Sequence, residues 1–144
     1  MEFIIKSSQI PHPDVIALAL RQPWAECILQ GIKTLEIRTQ PTNLRGTIAL
    51  YVGKIIAPQD FAKNALTQTG VTREDLILQK IVGTVDIIGC RLCTPADEKQ
   101  SCVPWKLMQG KYAWELAHPK RLRHALDVDH YPYGVWFYPW RPQT

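Results

Sequence analysis

Every apolar segment of this chain is short and is closed by proline, glycine or charge, and that punctuation limits what the chain can become. Val15 to Leu20 is apolar and bounded, as a buried strand is. Arg21 and Gln22 then lead into Pro23, which suits the first turn of a helix because it lacks a donor that would be unpaired there anyway. Residues 24–30 therefore predict a helix of at most two turns, ended by Gly31. From Thr34 to Arg38 the pattern alternates, with Leu35 and Ile37 on one face and Thr34, Glu36 and Arg38 on the other, so three polar groups share one side of a half-buried strand.

Further along, Gly46 opens a strand over residues 47–52. Pro58 starts a helix to about Thr69, with Phe61, Ala62, Ala65 and Leu66 at helical spacing and Gly70 closing it. Thr72 and Asp75 have the spacing of a capping box and predict a second helix. A long strand is expected from Ile81 to Leu92, then a polar surface loop from Cys93 to Pro104 with Asp97 and Glu98 near its tip. Residues 112–116 and 134–138 read as two aromatic-rich strands. Five or six strands with a few helices, and no regular alternation of the two, favour a mainly β (α+β) fold over a doubly wound parallel sheet. The expectation is a small β-barrel carrying short helical insertions.

At 144 residues and 46% hydrophobic composition, one compact domain burying roughly two thirds of its unfolded surface is the default. We expect an N-terminal arm over residues 1–14 and a single domain over 15–144. No run of about 18 apolar residues is present to span a bilayer, and the opening residues lack the pattern of a secretory signal, so a soluble cytoplasmic protein without a membrane partner is expected. Seventeen Lys and Arg against thirteen Asp and Glu leave a charge of +4, which permits a nucleic-acid partner without demonstrating one. The oligomeric state leaves no trace in the sequence. Four cysteines in a chain able to build its own core read as reduced thiols. Cys90 and Cys93 form a C-x-x-C with Cys102 further on, but no second pair at ligand spacing follows, and the four histidines fall in no zinc-enzyme arrangement. No metal and no cofactor is expected.

The run Leu18-Ala19-Leu20-Arg21-Gln22-Pro23-Trp24-Ala25-Glu26, followed by Gly31-Ile32-Lys33-Thr34-Leu35-Glu36-Ile37-Arg38, resembles the signature of the ASCH family, whose hallmark is G-x-K-x-x-E-x-R. Arg45-Gly46, the strand from Ile81, the run from Tyr112 to Leu122 and the closing Gly134-Val135-Trp136-Phe137 resemble the family's later elements in the same order, so the likeness covers about residues 15 to 140. The resemblance implies a small barrel of the PUA-like superfamily, with RNA or a nucleotide-like small molecule bound in a cleft beside the Lys, Glu and Arg motif. It also implies an alternative. Some members are amidohydrolases that deacetylate acetylcytidine with the motif lysine, a threonine at the position held here by Glu36, and a separate acidic residue. This chain keeps the lysine and lacks the threonine.

The residue chemistry fits a binding cleft. Lys33 offers a compact charge, Arg38 planar bidentate donors for phosphate or a base edge, and Glu36 an acceptor for an amino group. Spacing alone is equally met by a Glu36–Arg38 ion pair with Lys33 solvated beside it. Where a strand meets a helix, Arg21 and Gln22 could face the cleft and Trp24 could stack on a base, although a tryptophan is as readily a core anchor. Lys54, with Tyr51, could line the same cleft. Lys120 and Arg121, with Arg123 and His124, form the densest positive cluster and could hold a phosphate backbone. If the protein is an enzyme, the expectation is a hydrolase, amidohydrolase or ribonuclease, with Lys33 and Glu36 catalytic and Asp97 or Glu98 as the missing acid. A protein-binding adaptor leaves no signature.

Overall fold

The computed structural model describes residues 10–142, so most of the expected arm at residues 1–14 lies outside the described residues. Six strands form one mixed sheet: β1 (Ala17–Leu20), β2 (Leu35–Arg38), β3 (Gly46–Val52), β4 (Ile81–Leu92), β5 (Tyr112–Leu126) and β6 (Trp136–Phe137). Their order is β2-β5-β4-β3-β1-β6. β1 runs parallel to β3, and every other neighbouring pair is antiparallel. Helices α1 (Trp24–Leu29), α2 (Asp60–Thr69), α3 (Glu98–Ser101) and α4 (Trp105–Met108) are all short.

The sheet is a curled half-barrel. Trp114 of β5 and Trp136 of β6 stand four strand spacings apart in the order, which would be about 19 Å in a flat sheet. Their rings instead stack with centroids 5.6 Å apart. From the edge strand β2, Arg38 Nη2 donates to the carbonyl of Ala19 in β1 at 3.2 Å. Among the described residues, side chains and not a further hydrogen-bond ladder thus bring the two ends of the sheet together. The main core fills the curl with Leu18, Leu20, Ile48, Leu50, Val52, Val85, Ile87 and Leu116, closed by Ala25 and Ile28 of α1. The alternate residues Ala17, Ala49 and Tyr51 face a second cluster with Phe137 and Trp140, so the central strands are buried on both sides.

Several local expectations change. Thr72 does not open a helix: Arg73–Asp75 is one 3-10 turn, and the Thr72 hydroxyl donates to the Asp75 carboxylate instead of accepting from a backbone N–H. The following Leu76 is extended, and its side chain is buried. A reciprocal capping box forms at Thr94 and Asp97, where Pro95 supplies the first-turn φ. Residues 93–104 are accordingly not an open loop, since a 3-10 turn at Pro95–Asp97 runs into α3. The strand expected at 112–116 continues to Leu126. His118 at φ 55° and Pro119 sit where the β4–β5 register shifts, a bulge that takes a proline out of the ladder without ending the strand. Gly83 lies opposite the same stretch, and a Cβ there would collide with the Lys120 carbonyl and with Leu29.

Candidate functional site

Lys33 is placed by the end of α1. Gly31 takes φ 80°, and the amides of Ile32 and Lys33 both donate to the Cys27 carbonyl, at 2.9 and 3.1 Å. Thr34 N then bonds the Gln100 carbonyl at 2.9 Å, and β2 pairs with β5 so that Glu36 lies opposite Trp114. These contacts turn the Lys33 side chain inward, where it is 2% exposed. Its Nζ donates to the Ser101 carbonyl at 2.5 Å, stands 3.7 Å from Glu36 Oε1 and lies 5.0 Å from the Trp24 ring centroid. Burial pushes the lysine below its ordinary pKa, and the Glu36 carboxylate opposes that push.

Glu36 is also buried, and its Oε2 accepts from Arg38 Nε at 2.8 Å. Arg38 lies 5.7 Å from the Trp114 ring centroid. The Glu36–Arg38 ion pair foreseen from spacing is thus made, but Lys33 is enclosed with it and not solvated. The three charges sum to one positive charge. A cleft of about 330 Å³ opens over them, lined by Trp24, Lys33 and Glu36 on one side and by Gln59, Phe61 and Lys111 on another. Ile37, Val103 and Leu107 complete its apolar wall. Arg38 does not line it and reaches it only through Glu36. Trp24 packs on Phe61 with ring centroids 5.8 Å apart, so it is a wall of the cleft and an anchor of α1 at once.

The other candidates lie elsewhere. Gln22 is 2% exposed, and its amide is committed to the fold: Oε1 accepts from Glu26 N at 3.0 Å and Nε2 donates to the Ile77 carbonyl at 3.1 Å. Arg21 and Lys54 are exposed and do not line the cleft, and Tyr51 belongs to the second core cluster. Lys120 is exposed on β5. Arg121 grips Glu26 of α1 with two bonds of 2.9 and 2.6 Å, which holds that carboxyl below its usual range. Neither lines the cleft. Asp97 is buried in a bidentate pair with Arg91 at 2.8 and 3.0 Å, and Glu98 caps Trp105 N at 2.7 Å, so neither loop carboxylate faces Lys33. Among the described residues, no group of three or more His, Cys, Asp or Glu is placed to hold a metal ion. Among the same described residues, no helix is long and apolar enough to cross a membrane.

Sequence reasoning missed Gln59, Phe61, Val103, Leu107 and Lys111, which come from segments remote in the chain. Lys111 alone had a signal: a hairpin pairing of residues 34–38 with 112–116 would bring the residue before Tyr112 beside Arg38. Cys102, which the sequence placed only after the Cys90–Cys93 pair, ends α3 at φ 62°, where the Cys27 thiol and Lys33 depress its pKa to about 7.

A mixed, curled six-strand sheet with short helices is an ASCH-like α+β fold, and the family comparison agrees. The model of the ASCH domain matches residues 18–125, and the chain belongs to that family. Among solved structures, ASCH from Zymomonas mobilis is similar at a TM-score of 0.58 with 13% identity, covering 88% of each chain. A serine-to-alanine variant of that protein aligns at 0.57 with 14% identity over 90% of each chain. A tyrosine-to-phenylalanine variant aligns at 0.57 with 10% identity, covering 85% of this chain and 88% of that one. At these identities the likeness is one of fold. No curated protein matches the sequence.

Proposed function

We propose that the cleft over Lys33 and Glu36 binds RNA or a nucleotide-like ligand through one nucleotide at a time. The observation that carries this reading is the buried Lys33–Glu36 pair at the floor of a cleft walled by Trp24, made net positive by the partly buried Arg38 behind Glu36. Lys33 keeps ammonium protons beyond the one given to Ser101, which suits a phosphate or carbonyl oxygen, and Lys111 adds a second cation at the rim. Glu36 Oε1 stands outside hydrogen-bond distance of Lys33 and can accept from an exocyclic amine. Trp24 supplies an aromatic face for a base. About 330 Å³ lies at the small end of ligand sites, which suits a single nucleoside and excludes a duplex. Lys120, exposed away from the cleft, is a phosphate contact for longer RNA only.

Titrating cytidine monophosphate and a single-stranded RNA at several salt concentrations tests this. Lys33→Met should weaken both by roughly tenfold or more, equivalent to about 1.4 kcal/mol. Lys120→Ala should weaken the RNA alone and flatten its salt dependence. Parent-like affinity of Lys33→Met at every salt concentration rejects the cleft as the binding site.

A hydrolytic reading, on acylated cytidine or an RNA phosphodiester, is favoured by one observation: burial lowers the pKa of Lys33 and so raises the share of neutral amine at a given pH. With Asp97 and Glu98 held by Arg91 and Trp105, Glu36 is the carboxylate left to act as base. Incubation with acetylcytidine and with single-stranded RNA, against a Lys33→Met control, tests it. Turnover no greater than in the control rejects it for those substrates.

A further inference from the structure

We propose that Lys111 is the phosphate-binding residue of the cleft and that the Lys33–Glu36 floor takes a neutral edge of the base, so that the ligand class is a phosphorylated nucleoside and not a free one. This rests on the reading of the cleft as a nucleotide site and fixes which way round the nucleotide lies. Lys111 comes from a segment remote from the G-x-K-x-x-E-x-R motif. Gly110 takes φ 77° after α4, the Lys111 amide donates to the Met108 carbonyl at 2.9 Å, and the Lys111 carbonyl accepts from Cys93 N at 3.0 Å. The backbone is thus held on both sides just before β5, where Tyr112 pairs with Arg38. The Lys111 side chain is half-buried and lines the cleft.

The charges of the cleft fall in two places. At the floor, Lys33 and Glu36 stand 3.7 Å apart and cancel, while Arg38 sits behind Glu36, held to it at 2.8 Å, and does not line the cleft. Among the described residues Lys111 forms no ion pair, so it is the cation of the lining that nothing neutralises. The Lys33 ammonium is 2% exposed and already gives a proton to the Ser101 carbonyl at 2.5 Å. A phosphate brought there would lose its water beside the Glu36 carboxylate, which disfavours an anion. At Lys111 it keeps part of its hydration and gains an unshared counter-charge.

The aromatic wall sets the direction of the base. Trp24 packs on Phe61 with ring centroids 5.8 Å apart, and the Lys33 ammonium lies 5.0 Å from the Trp24 centroid. A base set against this wall has one edge at the floor, where Lys33 donates to a ring or carbonyl acceptor and Glu36 Oε1 accepts from an amine. Cytosine carries both groups side by side. The sugar and phosphate then leave through the mouth. About 330 Å³ holds a nucleoside with its phosphate at the rim, where Lys111 stands. Gln59 lines the same cleft, and its side chain is not spent on capping α2, so its amide offers the phosphate a neutral donor.

The two lysines therefore act on different parts of the ligand. Lys33 meets the base, which nucleoside and nucleotide share, and Lys111 meets the phosphate, which the nucleoside lacks. Salt separates them as well, because the contact at half-buried Lys111 is open to screening and the buried floor is not. In single-stranded RNA the same phosphate links the bound nucleotide to its neighbour, so Lys111 also guides the strand across the mouth of the cleft.

The test is calorimetric titration of the full chain with cytidine and with cytidine monophosphate at low and high salt. We expect the parent to prefer the monophosphate by roughly tenfold at low salt, as one charge-assisted hydrogen bond would give, and the preference to shrink as salt rises. Lys111→Met should erase the preference and Lys111→Arg should keep it. Lys33→Met should weaken both ligands and leave their ratio as in the parent. Equal affinity of the parent for the two ligands overturns the proposal while the cleft reading stands. So does a preference that survives Lys111→Met, or one that disappears in Lys33→Met, which would put the phosphate at the floor. If the parent binds neither ligand, the cleft reading fails and takes the proposal with it.

Discussion

Lys33 makes one short hydrogen bond to protein, and its nearest counter-charge, Glu36 Oε1, is 3.7 Å away in a buried setting where Glu36 already holds Arg38 at 2.8 Å. Taking an ammonium out of water costs several kcal/mol, and an attraction shared with a second cation offsets only part of it. The direction of the pKa is the same statement in another form: the folded protein holds the Lys33 proton less tightly than the unfolded chain does. Because the folded pKa is depressed, the unfolded state binds more protons between that pKa and 10.5, and stability from this residue rises with pH across that window. Lys33→Met keeps the apolar stem, removes the charge and leaves Glu36 paired with Arg38. Its loss of a bond to Ser101 is set against that relief, so urea unfolding should show stability within about 1 kcal/mol of the parent or higher, and a flatter alkaline rise. A variant that loses the ligand while keeping its stability marks a group retained for binding. A loss of several kcal/mol would make Lys33 a structural ion instead.

At the scale of elements, what was legible in the sequence was whatever local chemistry decides. The Pro23 and Gly31 limits of α1, the alternation of β2, the Gly70 end of α2 at φ 72° and the bounds of β4 follow from residues within a few positions of one another. The G-x-K-x-x-E-x-R spacing likewise located the floor of the cleft. What was not legible depended on tertiary partners. The same Thr-x-x-Asp spacing occurs at Thr72 and Thr94, yet only the second becomes a reciprocal cap. The positive run after Pro119 read as a phosphate-backbone site because nothing local says that Arg121 faces Glu26 across to α1. That pair gives an acid-side prediction. Glu26 has its folded pKa held down chiefly by Arg121, so its contribution is present above the unfolded carboxylate pKa near 4.5 and is lost as pH falls through the lower folded value. Arg121 is half exposed, which discounts the pair from the several kcal/mol of a fully buried one. Arg121→Ala should lower stability by about 1–2 kcal/mol at pH 7, as read by urea unfolding, with the deficit shrinking toward pH 3.

For the whole molecule, the cleft depends on a sheet that has to stay curled although, among the described residues, no backbone ladder completes it. Arg38 is the residue that joins the two levels. It holds Glu36 at the cleft floor, lies against Trp114, and donates to Ala19 on the far side of the curl. Trp136 contributes to the same closure through its stack on Trp114 while β6 makes only a two-residue pairing with β1. Trp136→Ala would open a space behind Trp114 and release the edge of the sheet. A fully buried tryptophan truncation costs about 3–5 kcal/mol, and the partial exposure of Trp136 brings the expectation to roughly 2–3 kcal/mol. Trp136 does not line the cleft, so any loss of ligand affinity must pass through Trp114 and Arg38. We expect Trp136→Ala to weaken nucleotide binding several-fold at a temperature where it is still folded, and Trp136→Phe to recover most of both losses by restoring a stacked ring. Reduced stability with parent-like affinity would mean that β2 holds the Lys33–Glu36–Arg38 geometry by its pairing with β5 alone, and that the curl serves stability without setting the site.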